Sequence, residues 1–244
     1  MSRVRLDTLL VERGLAPSRE RARALILAGQ VTVEGAPARK AGESVRPDAA
    51  LALLREDHPY VGRGGIKLAH ALDCFAVRVA ARRALDIGAS TGGFTDVLLR
   101  HGAASVVALD VGRGQIDWRL RTDPRVVVME GVNARALTPA QVPGPFDVVT
   151  IDVAFISLRH ILPALPPLLA PGADVVALVK PQFEAGRREV GRGGIVSDPA
   201  VQQRVVDEVV AAASAVGLER IATTESPITG TSGNREFFVH LRRP

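Results

Sequence analysis

The chain has 244 residues, 47% of them hydrophobic and 23% charged, and its formal net charge is +5. These numbers are typical of a soluble globular protein with one large domain, or with a large and a small one. One cysteine excludes an intrachain disulfide, and no apolar run approaches the roughly 18 residues of a membrane span, so we expect a cytoplasmic protein without a membrane partner.

The first segment predicts two helices separated by a turn. Leucines at positions 6, 9 and 10 have helical spacing, and Gly14 follows them as a helix stop. A second helix begins at the capping residue Ser18 and ends at Gly29. The pattern therefore predicts a helix-turn-helix at the amino end of the chain.

A hairpin is predicted after the second helix. Val31-Thr32-Val33 has the composition of a short strand, Glu34-Gly35 forms the turn, and Val45 lies on the return strand. Residues 1–46 contain nine Lys or Arg against five Asp or Glu, which accounts for most of the net charge. This small basic unit predicts contact with a polyanion, although a generally Arg-rich soluble protein would show the same bias.

The pattern from Arg5-Leu6-Asp7 through residues 18–23 to residues 29–35 resembles a small RNA-binding domain that is named after a small-subunit ribosomal protein. In that family the second helix and the following hairpin present basic side chains to structured RNA. The resemblance implies phosphate contacts by a set of basic residues, each of which could instead be a solvated surface charge. The set is Arg3, Arg5, Arg19, Arg23, Arg39 and Lys40, with Arg63 from the next domain.

Prolines, a glycine and acidic residues between positions 47 and 62 predict a linker. The acidic pair Glu56-Asp57 would face RNA poorly, which suits a junction near residues 55–61. We therefore expect an RNA-binding domain over residues 1–58 and a second domain over residues 59–244.

From residue 84 onward, apolar runs of strand length alternate with stretches of helix length. Strands are predicted at 84–87, 106–110, 126–129, 148–152, 175–179, 221–224 and 236–241, and helices at 94–101, 158–169 and 201–216. Continuous apolar strands separated by helices predict a parallel sheet that is covered on both faces. A short loop joins the last two strands, so we expect a hairpin with an antiparallel edge.

A glycine-rich turn over residues 86–93 joins the first of these strands to its helix. Such a turn brings backbone amides close to a ligand, but a purely structural turn has the same composition. Its G-x-x-x-G-G spacing resembles the first motif of S-adenosylmethionine-dependent methyltransferases, and a carboxylate ends the next strand, where it can accept hydrogen bonds from ribose hydroxyls. The expected cofactor-binding residues are Asp86, Gly88, Ser90, Thr91, Gly92, Gly93, Asp110, Val111, Asn133 and Asp152.

Lysine is rare, since only Lys40, Lys67 and Lys180 are lysines among 31 basic residues. Arg stays charged in any protein site, whereas a buried Lys can lose its proton, so rare lysines at strand and helix ends favour chemistry over drift. Lys67, Asp152, Lys180 and Glu236 together resemble the Lys-Asp-Lys-Glu set of ribose 2'-O-methyltransferases. Taken singly, Asp152 could cap a helix and Glu236 could pair with an arginine.

Six motifs spread along the second domain together resemble one protein family. They are GRGGIKL at 62–68, the glycine-rich turn at 86–96, DVGRGQ at 110–115, TIDVAFIS at 150–157, VKPQFEAG at 179–186 and GGIV at 193–196. They resemble the TlyA-type, or hemolysin A, family of ribosomal RNA methyltransferases over essentially the whole chain. The resemblance implies a Rossmann-like α/β methyltransferase domain with a seven-stranded, mostly parallel sheet whose last strand is antiparallel, beside a small α+β RNA-binding domain. It implies transfer of a methyl group from S-adenosylmethionine to a cytidine 2'-hydroxyl in ribosomal RNA or a ribosomal subunit, without a metal.

The resemblance also implies roles for the four ionisable residues. Lys180, as a neutral amine, would remove the proton of the ribose hydroxyl. Lys67 would favour the neutral amine because it is a like charge, while Asp152 and Glu236 would orient the amines and oppose that effect. The sequence leaves this balance open.

Other functions remain as alternatives. Carbon-five transfer to cytosine would require a cysteine nucleophile, and Cys74 lies elsewhere, in an apolar stretch that predicts burial. A non-catalytic ribosome-binding or assembly protein with a vestigial methyltransferase domain would need no cofactor to bind RNA. A membrane-lytic protein would show an amphipathic cationic helix with an aromatic face, which the sequence lacks.

Overall fold

The computed structural model describes residues 3–27, 29–54 and 58–244, so part of the predicted junction, with Glu56-Asp57, lies outside the described residues. Contacts divide the chain into an N-terminal unit, Met1–Pro59, and a C-terminal unit, Tyr60–Pro244. No helix in the described ranges is long and apolar enough to cross a membrane.

In its described residues, the N-terminal unit has two helices and five short strands around its own apolar core. Its elements are β1 (Val4–Arg5), α1 (Leu6–Glu12), α2 (Arg19–Leu27), β2 (Val31–Val33), β3 (Ala36–Pro37), β4 (Ser44–Val45) and β5 (Leu51–Leu53). Leu6, Leu10 and Ile26 are buried between the helices, as their helical spacing requires. The Ser18 hydroxyl accepts a hydrogen bond from the Arg21 amide at 3.2 Å, which is the expected cap of α2.

The strand pairing of this unit differs from the prediction. β2 pairs with β3 across the turn Glu34-Gly35 and with β5 on its other side, whereas Val45 lies on β4 and pairs with Val4. The prediction that Val45 returns beside β2 is wrong. Both turn residues have positive φ, 51° and 79°, as in a two-residue hairpin, so the chain pairs again immediately after the turn.

A buried carboxylate organises the start of the N-terminal unit. Asp7 has no solvent exposure, and it accepts hydrogen bonds from Arg5 at 2.7 and 3.0 Å and from Arg19 at 3.4 Å. The hydrogen bond from Arg5 is the main reason that the pKa of the Asp7 carboxyl falls to about 2, since burial opposes this shift. Asp7 therefore links β1 and both helices.

A seven-stranded sheet with helices on both faces forms the C-terminal unit. Its elements are α3 (Gly64–Phe75), β6 (Arg83–Ile87), α4 (Gly93–Arg100), β7 (Ser105–Asp110), α5 (Trp118–Arg121), β8 (Val126–Glu130), β9 (Phe146–Ile151), β10 (Leu169–Val179), α6 (Pro181–Glu184), α7 (Pro199–Ala215), β11 (Glu219–Glu225) and β12 (Phe237–Arg242). The strand order is β11-β12-β10-β9-β6-β7-β8, and β12 is antiparallel to both neighbours while the other pairs are parallel. This confirms the expected sheet, except that β12 lies inside it and β11 forms the edge.

The helix predicted over residues 158–169 is wrong. The chain there forms three short 3₁₀ turns, Leu158–His160, Leu162–Ala164 and Pro166–Leu168. Three prolines in this stretch lack the amide hydrogen that an α-helix requires, so the turns do not merge into one helix. By contrast, α4 and α7 closely overlap the ranges predicted for them.

Alternate residues of the central strand β6 face opposite sides of the sheet. Leu85 and Ile87 pack into the apolar cluster that contains residues of α7, whereas Ala84 packs with α3 and α4. This period of two is typical of a strand covered on both faces. The carboxyl ends of β6, β7, β9 and β10 lie at one edge of the sheet, where sheets of this kind bind ligands.

We expect Asp7→Asn to destabilise the N-terminal unit by about 2 kcal/mol, because the two arginines lose a charged acceptor. In the wild type the pKa of this carboxyl is lower in the folded unit than its usual 3.8, so its stabilisation is complete above pH 3.8 and is lost as the pH falls through about 2. Methyl signals of Leu10 and Ile26 in NMR spectra of the full chain measure both effects. Glu12→Gln changes an exposed carboxylate on the same helix and is the control; equal stability of the two variants would contradict the role of Asp7.

Candidate active site

A cavity of about 580 Å³ opens at the carboxyl ends of β6, β7, β9 and β10. Its volume lies in the usual range for small-molecule sites. The predicted site residues that border it are Gly88, Ser90, Asp110, Val111, Asn133, Asp152 and Lys180. Those that do not border it are Lys67, Asp86, Thr91, Gly92, Gly93 and Glu236.

Glycines shape the turn between β6 and α4 by making room for neighbouring parts of the protein. Gly88 has a φ of +85°, and a Cβ there would lie 2.2 Å from the backbone carbonyl oxygen of Asp152. The Asp152 amide donates to the Ile87 carbonyl at 2.9 Å, so β9 approaches the turn closely. Gly92 has a φ of +96°, and its Cβ would meet Leu120 at 2.2 Å. These glycines are therefore needed for close packing of the protein around the cavity, and not only for the approach of a ligand to the backbone.

Asp86 supports the site from within the sheet. It has no solvent exposure, and its oxygens accept hydrogen bonds from the hydroxyls of Thr95 at 2.7 Å and Thr150 at 3.0 Å. Burial raises the pKa of its carboxyl to about 7 against the lowering effect of both hydrogen bonds, and the Asp152 carboxylate raises it further. Asp86 therefore lies behind the cavity wall, bonded to the protein itself.

Asp110 presents a carboxylate at the end of β7. Its Oδ2 accepts from the Ser90 amide at 2.8 Å and its Oδ1 from the Gly112 amide at 2.6 Å. Because a carboxylate oxygen has two acceptor sites, one site on each oxygen is left for a ligand. Asn133 borders the same cavity and accepts from the Arg135 amide at 3.0 Å.

Gln115 and Phe155 border the cavity but are absent from the predicted set. Gln115 Oε1 accepts from the Ser90 hydroxyl at 3.2 Å, and its place in the motif at 110–115 was a usable signal. Phe155 is 89% exposed and has a φ of +63°, with its ring centroid 5.1 Å from that of Phe183. A left-handed aromatic residue is rare, and nothing in a sequence indicates one.

Two lysine–carboxylate pairs lie at this end of the sheet. Lys180 Nζ is 2.6 Å from Asp152 Oδ1, with 14% and 20% of the side chains exposed. This contact lacks hydrogen-bond alignment, so Asp152 Oδ1 is a buried acceptor without a hydrogen bond. Lys67 Nζ is hydrogen-bonded to Glu236 Oε2 at 2.5 Å, with 11% and 3% exposed. The first pair borders the cavity, and the second is more deeply buried.

The direction of β12 brings Glu236 to this site. Because β12 is antiparallel, its amino end lies at the edge where the parallel strands have their carboxyl ends, and Phe237 pairs with Val179. Glu236 and Lys180 therefore leave the sheet side by side. A Cβ on Gly64 would lie 3.8 Å from Asp152 Oδ2, so the start of α3, the helix that carries the lysine of the second pair, adjoins the first pair.

The structure shows neither Asp152 as a helix cap nor Glu236 in a pair with an arginine, which were the alternatives for these two carboxylates. Ser157, and not Asp152, caps the 3₁₀ turn that follows β9, since its hydroxyl accepts from a backbone amide of that turn at 3.1 Å. Arg235 pairs with Glu225, and not with the adjacent Glu236.

The basic residues predicted to contact RNA fall into two groups. One group donates to carboxylates or carbonyls of the protein, and its members are Arg3, Arg5, Arg19 and Arg63. The other is exposed and forms no ion pair within the described ranges, and its members are Arg23, Arg39 and Lys40. The side chains of the second group are therefore exposed where an external anion can reach them.

Cys74 is exposed, so the prediction that it is buried is wrong. It lies on α3 with its sulfur 3.4 Å from His70 Nε2, away from the buried positions Leu68, Ala71 and Leu72. The cavity lining does not include it. Across the described parts of the chain, no group of three or more His, Cys, Asp or Glu has the arrangement of a metal site.

Comparison with known proteins assigns the chain to a class. A family model described as FtsJ-like methyltransferase matches residues 60–243, and an S4 domain model matches residues 4–51. The 16S/23S rRNA (cytidine-2'-O)-methyltransferase TlyA of Mycobacterium tuberculosis is 51% identical over 241 residues, which are 98% of this chain and 90% of that protein. Hemolysin A of Brachyspira hyodysenteriae is 37% identical over 242 residues, 98% of this chain and 99% of that protein.

Solved structures agree with this assignment. A candidate hemolysin from Streptococcus thermophilus has a TM-score of 0.78 and 44% identity, and the match covers 100% of this chain and 89% of that one. An S-adenosylmethionine-dependent methyltransferase from Mesorhizobium loti, at 17% identity and a TM-score of 0.57 over 75% of this chain and 100% of that one, shows the same fold. The chain therefore belongs to the FtsJ-like methyltransferase family, in the S4-containing group of TlyA and hemolysin A, as its motifs predicted.

Gly88→Ala should destabilise the C-terminal unit by about 3 kcal/mol, because a Cβ at this position overlaps the Asp152 carbonyl and the φ is positive. Gly114→Ala is the matched control, since its φ of +70° is similar but no atom lies within 4 Å of its Cβ position. We expect about 1 kcal/mol for the control, from backbone strain. Calorimetric unfolding measures both, and equal losses would show that the approach of β9 does not require the glycine.

Proposed function

We propose that this chain transfers a methyl group from S-adenosylmethionine to the ribose 2'-hydroxyl of a cytidine in ribosomal RNA. The main support is the Lys180–Asp152 pair at the cavity, with the Lys67–Glu236 pair beside it. A relative with 51% identity over 98% of this chain is named a 16S/23S rRNA (cytidine-2'-O)-methyltransferase. Ribosomal RNA or a ribosomal subunit as the substrate implies a cytoplasmic protein.

The cavity residues fit an adenosyl cofactor. Asp110 retains one acceptor site on each oxygen for two ribose hydroxyls. Val111 is an apolar side chain that is 73% exposed, and with Asn133 it would contact the adenine. Within the turn, Gly88 and Ser90 would form the wall, and Asp86, Thr91, Gly92 and Gly93 would support it from behind. When bound, the cofactor supplies an electrophilic methyl group on a sulfonium.

Lys180 is the base that we propose for the ribose hydroxyl. A lysine accepts a proton only as the free amine, a form that Arg does not reach in proteins. Asp152 Oδ1 lies 2.6 Å from this nitrogen, and both residues border the cavity in which we place the ribose hydroxyl. Lys67 and Glu236 hold α3 against this pair. Because the transfer is an in-line displacement, such positioning should supply much of the rate.

The two domains of the chain would have different functions, RNA binding and methyl transfer. We propose that residues 1–58, which include the S4 domain match, bind structured RNA, and that residues 59–244 carry the chemistry. Phosphate contacts would come from Arg23, Arg39 and Lys40, with smaller contributions from Arg3, Arg5, Arg19 and Arg63, whose donors are partly used within the protein.

Mapping 2'-O-methyl groups on ribosomal RNA with and without the protein tests this proposal directly. The expected result is a cytidine that is methylated only when both the protein and S-adenosylmethionine are present. RNA binding without any new methyl group would instead indicate a ribosome-binding or assembly protein with a vestigial methyltransferase domain.

Lys180→Ala should lower kcat for methyl transfer by about 10²- to 10⁴-fold, because the general base is lost. S-adenosylmethionine binding, measured by calorimetry, should remain. Lys180→Arg is the informative control, since it keeps the positive charge beside Asp152 but does not release its proton. Turnover by Lys180→Arg near the wild-type rate would rule out Lys180 as the base.

Arg23→Ala should weaken binding of a ribosomal RNA fragment and reduce the slope of log K against log salt by about 1, because one phosphate contact is lost. Arg46→Ala removes a guanidinium that is already paired with Glu34 at 3.0 Å, so its slope should match the wild type. Filter binding at several salt concentrations measures both slopes. Equal slopes for Arg23→Ala and the wild type would remove Arg23 from the interface.

A further inference from the structure

The sheet does not by itself fix the distance between Asp152 and Lys180. The parallel ladder between β9 and β10 ends with the pair Ile151 and Ala177. Asp152 follows directly on one side, but Lys180 lies three positions further along on the other side. Each residue begins a segment that leaves the sheet, so a contact between the two segments also bears on the distance between Asp152 and Lys180.

Glu184 supplies this contact. It is the last residue of α6, only 5% exposed, and its Oε2 accepts a hydrogen bond from the Ser157 hydroxyl at 2.5 Å. Its Oε1 accepts from the Leu158 amide at 2.7 Å, and its backbone carbonyl accepts from Arg159 Nη2 at 2.9 Å. The segment after Lys180 is thus bonded to the segment after Asp152.

A carboxylate suits this position better than an amide. The Ser157 oxygen already accepts from the Arg159 amide and from Arg159 Nε, both at 3.1 Å, so its own proton must be donated. The Leu158 amide is a second donor. The two donors meet different oxygens, so an amide in the same orientation would satisfy only one of them. Burial is the main cause that raises the pKa of the Glu184 carboxyl, and its hydrogen bonds oppose this shift.

We propose that Glu184 is a positioning residue, which holds Asp152 and Lys180 at their working separation through Ser157 and Leu158. This inference rests on the proposed function of the Lys180–Asp152 pair. Glu184 itself touches neither member of the pair by any contact that we observe among the described residues, so it acts through the two segments and not on the substrate.

Kinetics of methyl transfer with Glu184→Ala, Glu184→Gln and Glu208→Ala provide the first test. Glu184→Ala should lower kcat about 100-fold with unchanged affinity for S-adenosylmethionine and RNA, because the base is misplaced while the binding residues remain. Glu184→Gln should lose about 10-fold, since it keeps an acceptor for the Leu158 amide. Glu208→Ala removes the outer partner of Arg159 at 3.1 Å but not the buried contact, and should match the wild type.

Amine labelling provides a second test that does not depend on turnover. The chain has three lysines, so acetylation by acetic anhydride can be followed by mass spectrometry at Lys40, Lys67 and Lys180 separately. In Glu184→Ala we expect faster labelling of Lys180, while Lys67, which is held by Glu236, and Lys40 keep their rates.

The outcomes separate the inference from the proposed function. An unchanged kcat in Glu184→Ala, or in Glu184→Gln if the alanine variant does not fold, would overturn the role of Glu184 while leaving the proposed function intact. Faster labelling of all three lysines would also overturn it, because that indicates general unfolding. If the wild type transfers no methyl group, the proposed function fails, and selective labelling of Lys180 alone decides whether Glu184 positions it.

Discussion

The contact between Asp152 and Lys180 is the interaction on which the candidate site depends. Their charges lie 2.6 Å apart with most of both side chains shielded, so they attract each other more strongly than a surface pair does. The contact is nevertheless not an aligned hydrogen bond, so its geometry has to be set by the surrounding protein. Gly88 sets one side, because it admits the backbone of Asp152 next to β6.

The pair between Lys67 and Glu236 has a different character. It is hydrogen-bonded, more buried and outside the cavity lining, and a Cβ on Gly230 would lie 2.4 Å from Glu236 Oε1, so the surrounding loop fits tightly around it. Loss of one partner would leave a buried charge without compensation, so removal of either side chain should be strongly destabilising. We infer that this pair holds α3 in place, while the Lys180–Asp152 pair faces the cavity.

The sequence predicted correctly those strands and helices whose position depends on the spacing of apolar residues along the chain. Continuous apolar runs located the strands of the parallel sheet, because such strands are buried on both faces. The prediction of a helix over residues 158–169 is wrong, because the apolar spacing of this stretch is interrupted by prolines that an α-helix does not accommodate. Family resemblance grouped the two lysines and two carboxylates, but the partner of each lysine depends on the antiparallel β12, which delivers Glu236 beside Val179. A pairing between residues 169 positions apart leaves no local signal.

The division between arginine and lysine in this chain has a physical reason. Arginines hold buried carboxylates: burial would raise the pKa of the Asp174 carboxyl, but hydrogen bonds from His240, Arg242 and Arg82 keep it well below its usual range. A permanently charged, multidentate donor suits this work because the arginine keeps its charge throughout the pH range in which the carboxylate is ionised. It does not suit a base, which has to exist without its proton for part of each cycle. Lys180 borders the candidate site, where the proposed reaction requires a cation that can become neutral, whereas Lys67 lies beside it in the buried pair with Glu236.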